Sequence, residues 1–346
     1  MSKARDLADL AKNANDRLDT VATSDGALSN RNLIINGAMQ VAQRGTSFTA
    51  DNVYTLDRWK SGDGTGGSPA RTLTQEAFTL GQTDVPNAHY FLKHDQTVAN
   101  TGANASLVHK IEDVTKFDGQ TVTLSFYAKA DAAMDVDVRF IQDFGTGGSP
   151  SSDVTLTETV SIGTSWTKYT VTKTMGSLSG KTLGTDGVHT SFLSLNFEFQ
   201  PTSTFTFEAT LFQLEYGDTA TPFEHRSYGD TLAKCQRFFQ RFGNLTGNTI
   251  NGICNLSVRS ATDKYAVIHH PVVPRAQPTV GYSSLSHFIL YAGASSTTPT
   301  AFTYQGTTAS GSTEVQINTN SFGSSGWGGW LRLNSSTGYL DFDMEL

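Results

Sequence analysis

The residues best suited to binding chemistry are aromatic. "SSGWGGWLRL" sets Trp327 and Trp330 among glycines, where indole rings can stand exposed on a loop. Sugars offer apolar C–H faces that stack on such rings, and their hydroxyls seek Asn, Asp and Gln partners. Tyr282 and Tyr304 are candidates of the same kind, and His287 joins them. The competing expectation is that one or both tryptophans pack into a core or a subunit contact.

Catalytic patterns are scarce. The chain carries no GxSxG, no HExxH and no phosphate loop. Glu158, Glu198, Glu208 and Glu215 fall within strand-like runs, mostly at outward parity, and read as a solvated sheet face. No catalytic residue is assigned, and the protein is read as a non-enzyme. The two cysteines, Cys235 and Cys254, lie near His269 and His270. Their spacing fits no usual zinc pattern, and Pro271 implies an extended segment. They read as reduced, mostly buried thiols of a protein made in a cytoplasm. Asn36, Asp57 and Glu215 offer oxygens hard enough for calcium, but no contiguous carboxylate loop holds them. Neither a metal nor a cofactor is therefore assigned.

The 346-residue chain has a net charge of −7 and no long basic run, so nucleic acid is excluded as a partner. No apolar run approaches the ~20 residues of a membrane span, and the N-terminus lacks an apolar signal core.

The elements that must position these groups are mainly β. Residues 1–30 read as a short amphipathic helix and a linker. Leu7, Leu10, Ala14, Leu18 and Val21 form a thin stripe that needs a partner to cover it. From 31 to 228 apolar residues alternate, as in "TVTLSFYAK", "DVDVRF" and "FLSLNFEF", which predicts half-buried antiparallel strands of a two-sheet sandwich. The alternation slips at Leu211–Phe212, the mark of a bulge. "GDTLAKCQRFFQRF" predicts a linker helix over 229–243, with Asp230 as N-cap and with Lys234, Arg237 and Arg241 on a solvated side. From 244 to 346 strands and turns return as a C-terminal antiparallel β domain, with "HPVVPRAQP" on an edge or in an extended connection.

One stretch lacks any chemical reading: "NLIINGAMQVAQRGTS", followed by "YTLDRW". Physically it reads as framework. Leu33 and Ile35 are expected to face the core and Ile34 the other side. Asn36–Gly37 supplies a turn. Asn32, Gln40 and Gln43 tie loop backbone. Trp59 anchors the core beside an Asp57–Arg58 ion pair. This stretch resembles the start of a β-sandwich module found in bacteriophage tail-fibre and other virion appendage proteins. "LFQLEYGDTATPFEHRSYGDTLAKCQRFF" resembles the close of that module, and "PVVPRAQPTV" and "YLDFDMEL" resemble the C-terminal β domain that accompanies it. The first strand is also similar to that of jelly-roll, galactose-binding-like carbohydrate-binding modules, in which it pairs with a late strand.

The resemblance implies a virion protein of the tail-fibre type, a homotrimer that docks to other virion proteins through residues 1–30 and adheres to a host-cell surface glycan. A non-adhesive virion role, as head fibre, capsid decoration or tail adaptor, stays open beside it.

Overall fold

The computed structural model describes residues 30–62, 70–99, 105–186, 190–199, 203–243, 252–307 and 311–346. The expected N-terminal helix lies outside these residues, as does most of the "SGDGTGGSPAR" loop. The fold is mainly β, and it divides into two compact units, Met1–Arg226 and Ser227–Leu346.

The first unit is the jelly-roll sandwich. Its strands are β1 (Ser47–Phe48), β2 (Trp59–Gly62), β3 (Arg71–Ala77), β4 (Tyr90–Gln96), β5 (Ala105–Glu112), β6 (Thr121–Ala130), β7 (Met134–Asp143), β8 (Val154–Ile162), β9 (Thr167–Thr174), β10 (Phe192–Phe199) and β11 (Phe205–Tyr216). One sheet runs β1-β3-β4-β11-β6-β9 and the other β2-β5-β10-β7-β8, with every pairing antiparallel. The alternating residues do what their period requires. Val122, Leu124 and Phe126 meet Val136, Val138, Phe140, Leu193, Leu195 and Phe197 in one buried core.

The expected bulge is present. The pairing of β11 with β6 jumps between Thr210 and Gln213, and Leu211 takes a φ of 52°. The jump returns Phe212 and Leu214 to the core, while Leu211 packs in a separate small cluster with Val85 and Ala88.

The opening motif is framework, with one inversion. Ile34 is the fully buried core residue, whereas Leu33 and Ile35 are only half-buried. The segment is a turn rather than a regular strand, so period-two parity does not govern it. The Leu33 N–H donates to the Leu214 carbonyl at 2.8 Å, which gives the pairing with a late strand. Asn36 adopts a φ of 60°. A Cβ at Gly37 would collide with the Phe212 carbonyl oxygen.

Trp59 is fully buried. Its indole N–H donates to the Asn36 carbonyl (3.2 Å), and its rings meet Phe212 at 4.6 Å and His109 at 4.9 Å. Asp57 accepts from the main-chain N–H of Gln43 (2.6 Å) and from its side-chain amide (2.5 Å). Arg58 donates to the Lys110 carbonyl (2.6 Å).

A polar clasp joins the two ends of the described sandwich. Glu224 accepts from the N–H of Asn30 (2.5 Å) and of Asn32 (2.8 Å). Arg226 donates to the Asn32 carbonyl (3.0 Å) and to Glu224 itself (3.0 Å). Partial burial opposes ionisation of Glu224, but these amides and the Arg226 guanidinium hold its carboxyl below the usual range.

The second unit opens with α1 (Tyr228–Gln236). Its N-cap is Ser227, not Asp230. The Ser227 hydroxyl accepts from the Asp230 N–H (3.1 Å) and donates to the Asp230 carboxylate (2.6 Å). The helix stops well before 243, because Phe239–Gly243 is strand β12. Aromatic Phe239 and Phe242 fit a pleated sheet, and β12 gains a full antiparallel partner in β21 (Tyr339–Asp343). Arg241 therefore leaves the expected solvated helix face. It forms a two-pronged ion pair with Asp341 (2.8 and 2.7 Å) and lies 3.7 Å over the Tyr339 ring.

The remaining strands are β13 (Gly252–Val258), β14 (Asp263–His269), β15 (Thr279–Tyr282), β16 (Phe288–Ala292), β17 (Ser295–Thr297), β18 (Ala301–Thr307), β19 (Ser312–Asn318) and β20 (Gly328–Leu333). They form a three-stranded sheet, β12-β21-β15, and a seven-stranded sheet, β17-β16-β20-β13-β14-β19-β18. The inner faces share a core of Leu256, Phe288, Leu290, Val315, Leu331 and Phe342.

Candidate functional site

The exposed face of the seven-stranded sheet carries the clearest binding surface. Trp330 lies directly across from Tyr291, and the rings stack at 5.6 Å with 27° between their planes. Trp330 remains 46% exposed. The Arg332 guanidinium sits 5.5 Å over Tyr291. On the other side of Trp330 the register places Asn255, which is exposed. An aromatic surface flanked by amide and guanidinium groups can take the C–H face of a ring and bond its hydroxyls.

Trp327 is no part of that ring stack. The Trp327 carbonyl accepts from the N–H of Val258 (2.9 Å), a residue of the core face. Trp330 lies in β20 and turns outward, whereas Trp327 lies just before β20, at the end of a turn, and is 44% exposed. There Trp327 lies beside Gly293 and Gly323. Tyr282 packs against Phe302 at 5.3 Å. Tyr304 is opposite buried Val315, on the inner parity. His287 bonds Ser283 (3.0 Å) and ends a short 3₁₀ turn at Leu285–His287. Of the five candidates only Trp330 takes part in this ring stack. Tyr291, in the "FILYAG" run, was missed because the signal that marks it is cross-strand register, which no local pattern carries.

The other candidate chemistries are tied up by neighbours. Glu158 pairs with Lys173, Glu198 with Arg139 and Glu208 with Lys129 (2.7, 2.9 and 2.9 Å). Glu215 corrects the outward-face expectation, since it is buried. It accepts from the Thr221 N–H (2.9 Å), the Thr221 hydroxyl (2.7 Å) and the Gln213 amide (3.0 Å).

Asn36 donates to the carbonyls of Val41 and Asp57 and accepts from the Val41 N–H. Burial pushes Asp57 up, against the Arg44 charge and the Gln43 bonds. Among the described residues no three His, Cys, Asp or Glu side chains converge as a metal site. His270 is held between Gln240 and Thr313 (2.7 Å each), and His269 by Ser312 (2.8 Å). Burial pushes the Cys254 thiol up to about 12, which keeps it protonated and a poor ligand.

Two histidines are locked in the sandwich core. Burial, with Arg71 nearby, lowers His94 to about 3; burial, with Arg58 nearby, does the same for His109, against a bond to the Ile35 carbonyl.

No protein-family model matches the chain, and no curated protein matches it. Among solved structures, a CBM4 module is 18% identical with a TM-score of 0.33, covering 53% of this chain and 99% of its own. The family 11 carbohydrate-binding module of the Clostridium thermocellum cellulase Lic26A-Cel5E is 14% identical (TM-score 0.32; 51% and 98% covered). The enzymatically active domain of tailspike protein 4 from bacteriophage CBA120 is 14% identical (TM-score 0.36; 54% and 22% covered). At such TM-scores none of them bears on what this chain binds.

Proposed function

We propose that this protein is a non-enzymatic glycan-binding appendage of a bacteriophage virion, of the tail-fibre type, and that it adheres to the host surface through the exposed face of the seven-stranded sheet. The stacked, solvent-facing Tyr291–Trp330 pair carries the reading. Open aromatic surface costs solvation unless a ligand or partner covers it. The ordered framework motifs, from "NLIINGAMQ" to "YLDFDMEL", support the virion assignment. In this reading residues 1–30 dock to other virion proteins and the chain works as a homotrimer. Repeated copies then convert a weak single site into firm attachment.

The test is binding of purified protein to an array of bacterial surface glycans, with Trp330→Ala and Trp327→Ala beside the wild type. Trp330→Ala is expected to lose about tenfold in affinity, roughly 1.4 kcal/mol of stacking, with its oligomeric state unchanged. Trp327→Ala, altered outside β20 and outside the ring stack, keeps binding. A wild type that binds no glycan yet incorporates into virions overturns the adhesin. That outcome favours the structural role, for which exposed Tyr228 and Val273 offer apolar surface to neighbouring copies.

A further inference from the structure

The seven-stranded sheet is open along one seam. β14 pairs with β19 at all seven of its residues, from Asp263↔Asn318 to His269↔Ser312. β13 follows β20 from Gly252 to Ser257, with a bulge between Gly252 and Cys254. Between β13 and β14, however, pairing covers only Leu256↔Ala266, Ser257↔Tyr265 and Val258↔Lys264. Beyond Leu256 the two strands part. The gap is a cleft of about 530 Å³, within the ordinary range for ligand sites. Its walls include Ile253, Leu256 and Val267 on the apolar side and Asn255, Ser257 and Tyr265 on the polar side.

The cleft is continuous with the aromatic surface. Register aligns Tyr291 with Trp330 and Trp330 with Asn255, and Asn255 itself lines the cleft, as does Val267 on the strand beyond the gap. The paired row crosses three neighbouring strands and spans roughly 10 Å at ~4.8 Å per strand. Tyr291 is half-buried at its far end, and Val267 across the cleft is 48% exposed. The residues lining the cleft include no Lys, Arg, Asp or Glu, and Glu314 stands across from Val267 on the neighbouring strand.

We propose that the binding site runs from the Tyr291–Trp330 stack across Asn255 into the cleft between β13 and β14, and that it takes an extended, uncharged oligosaccharide rather than a single terminal sugar. The inference rests on the glycan-binding reading above and names its ligand class. One sugar ring stacks on Trp330. The following units meet the Asn255 amide and the Ser257 and Tyr265 hydroxyls, while their C–H faces cover Ile253 and Val267. The Arg332 guanidinium lies at the Tyr291 end of the site, whereas within the cleft an anionic unit would lose its hydration with no lining cation and with Glu314 nearby.

The experiment measures the affinity of the full chain for two ladders, each graded from disaccharide to hexasaccharide and prepared by partial acid hydrolysis of bacterial surface polysaccharides, one neutral and one acidic. The comparison protein is Asn255→Ala/Val267→Ala, both changes being at exposed positions outside the core. The wild type is expected to gain about tenfold from disaccharide to tetrasaccharide on the neutral ladder. The double variant loses that gain and keeps the disaccharide affinity, which a general loss of folding would not produce. An affinity independent of length, yet still abolished by Trp330→Ala, overturns the extended site and leaves the glycan reading standing. A stronger response to the acidic ladder overturns the uncharged ligand. No binding to either ladder overturns the glycan reading and the extended site with it.

Discussion

Replacing His94 with Phe tests how the sandwich responds to acid. His94 sits at 0% exposure, between Phe199 (4.9 Å) and Phe205 (5.2 Å), and among the described residues neither ring nitrogen has a hydrogen-bond partner. Its pKa is about 3 in the folded chain, as is that of His109, against about 6.5 when unfolded. Between those values the unfolded chain binds protons that the folded chain refuses, so stability is full above pH ~6.5 and falls as pH is lowered.

Each pH unit costs about 1.4 kcal/mol per histidine. From pH 6.5 to 4.5 the pair costs on the order of 5 kcal/mol, comparable to the ~5–15 kcal/mol that holds a domain folded. Glu224, held low by its clasp, loses its own contribution only at more acid pH, while Asp57, raised by burial, and His225, lowered by burial, titrate alike in the variant and its parent. Phe keeps the aromatic contacts and removes one titrating group. The slope of stability against pH between about 6.5 and 4.5 should fall by about 1.4 kcal/mol per pH unit, and the acid midpoint should move down.

Trp fluorescence in a Trp327→Phe/Trp330→Phe background isolates the sandwich, because Trp59 and Trp166 both lie there. Equal slopes in His94→Phe and its parent would refute the reasoning.

Two further outcomes can be read by urea denaturation. Trp59→Ala removes a fully buried ring packed on Phe212 and His109, and should cost the sandwich about 3–5 kcal/mol. Arg241→Lys keeps the charge but loses the fork to Asp341 and the stack on Tyr339; the second unit should lose roughly 1–3 kcal/mol, with the first unit's transition unchanged.

What the sequence allowed one to read divides by the range of the forces involved. Strand parity, the bulge at Leu211 and the burial of Trp59 were legible, because period-two burial and aromatic anchoring act locally. Ile34 was assigned to the wrong side, because turn geometry rather than strand alternation orients it. The helix was drawn too long because Phe238, Phe239 and Phe242 satisfy helical spacing and strand propensity alike; pairing with β21, a hundred residues away, decides between them. Trp327 and Trp330 look like one patch in a glycine-rich loop. Trp330 is taken into β20 while Trp327 stays in the turn before it, and β16 supplies the stacking partner Tyr291.

The Glu224 clasp has a mechanical consequence. The chain enters the sandwich at Asn30–Asn32 and leaves it at Glu224–Arg226, side by side. Tension applied through the flanking segments therefore loads a few charge-assisted bonds first, not the β strands. Such bonds part and reform without disturbing Trp59 or the aromatic core behind it. A pull of that kind is taken up at the clasp before it reaches the strands.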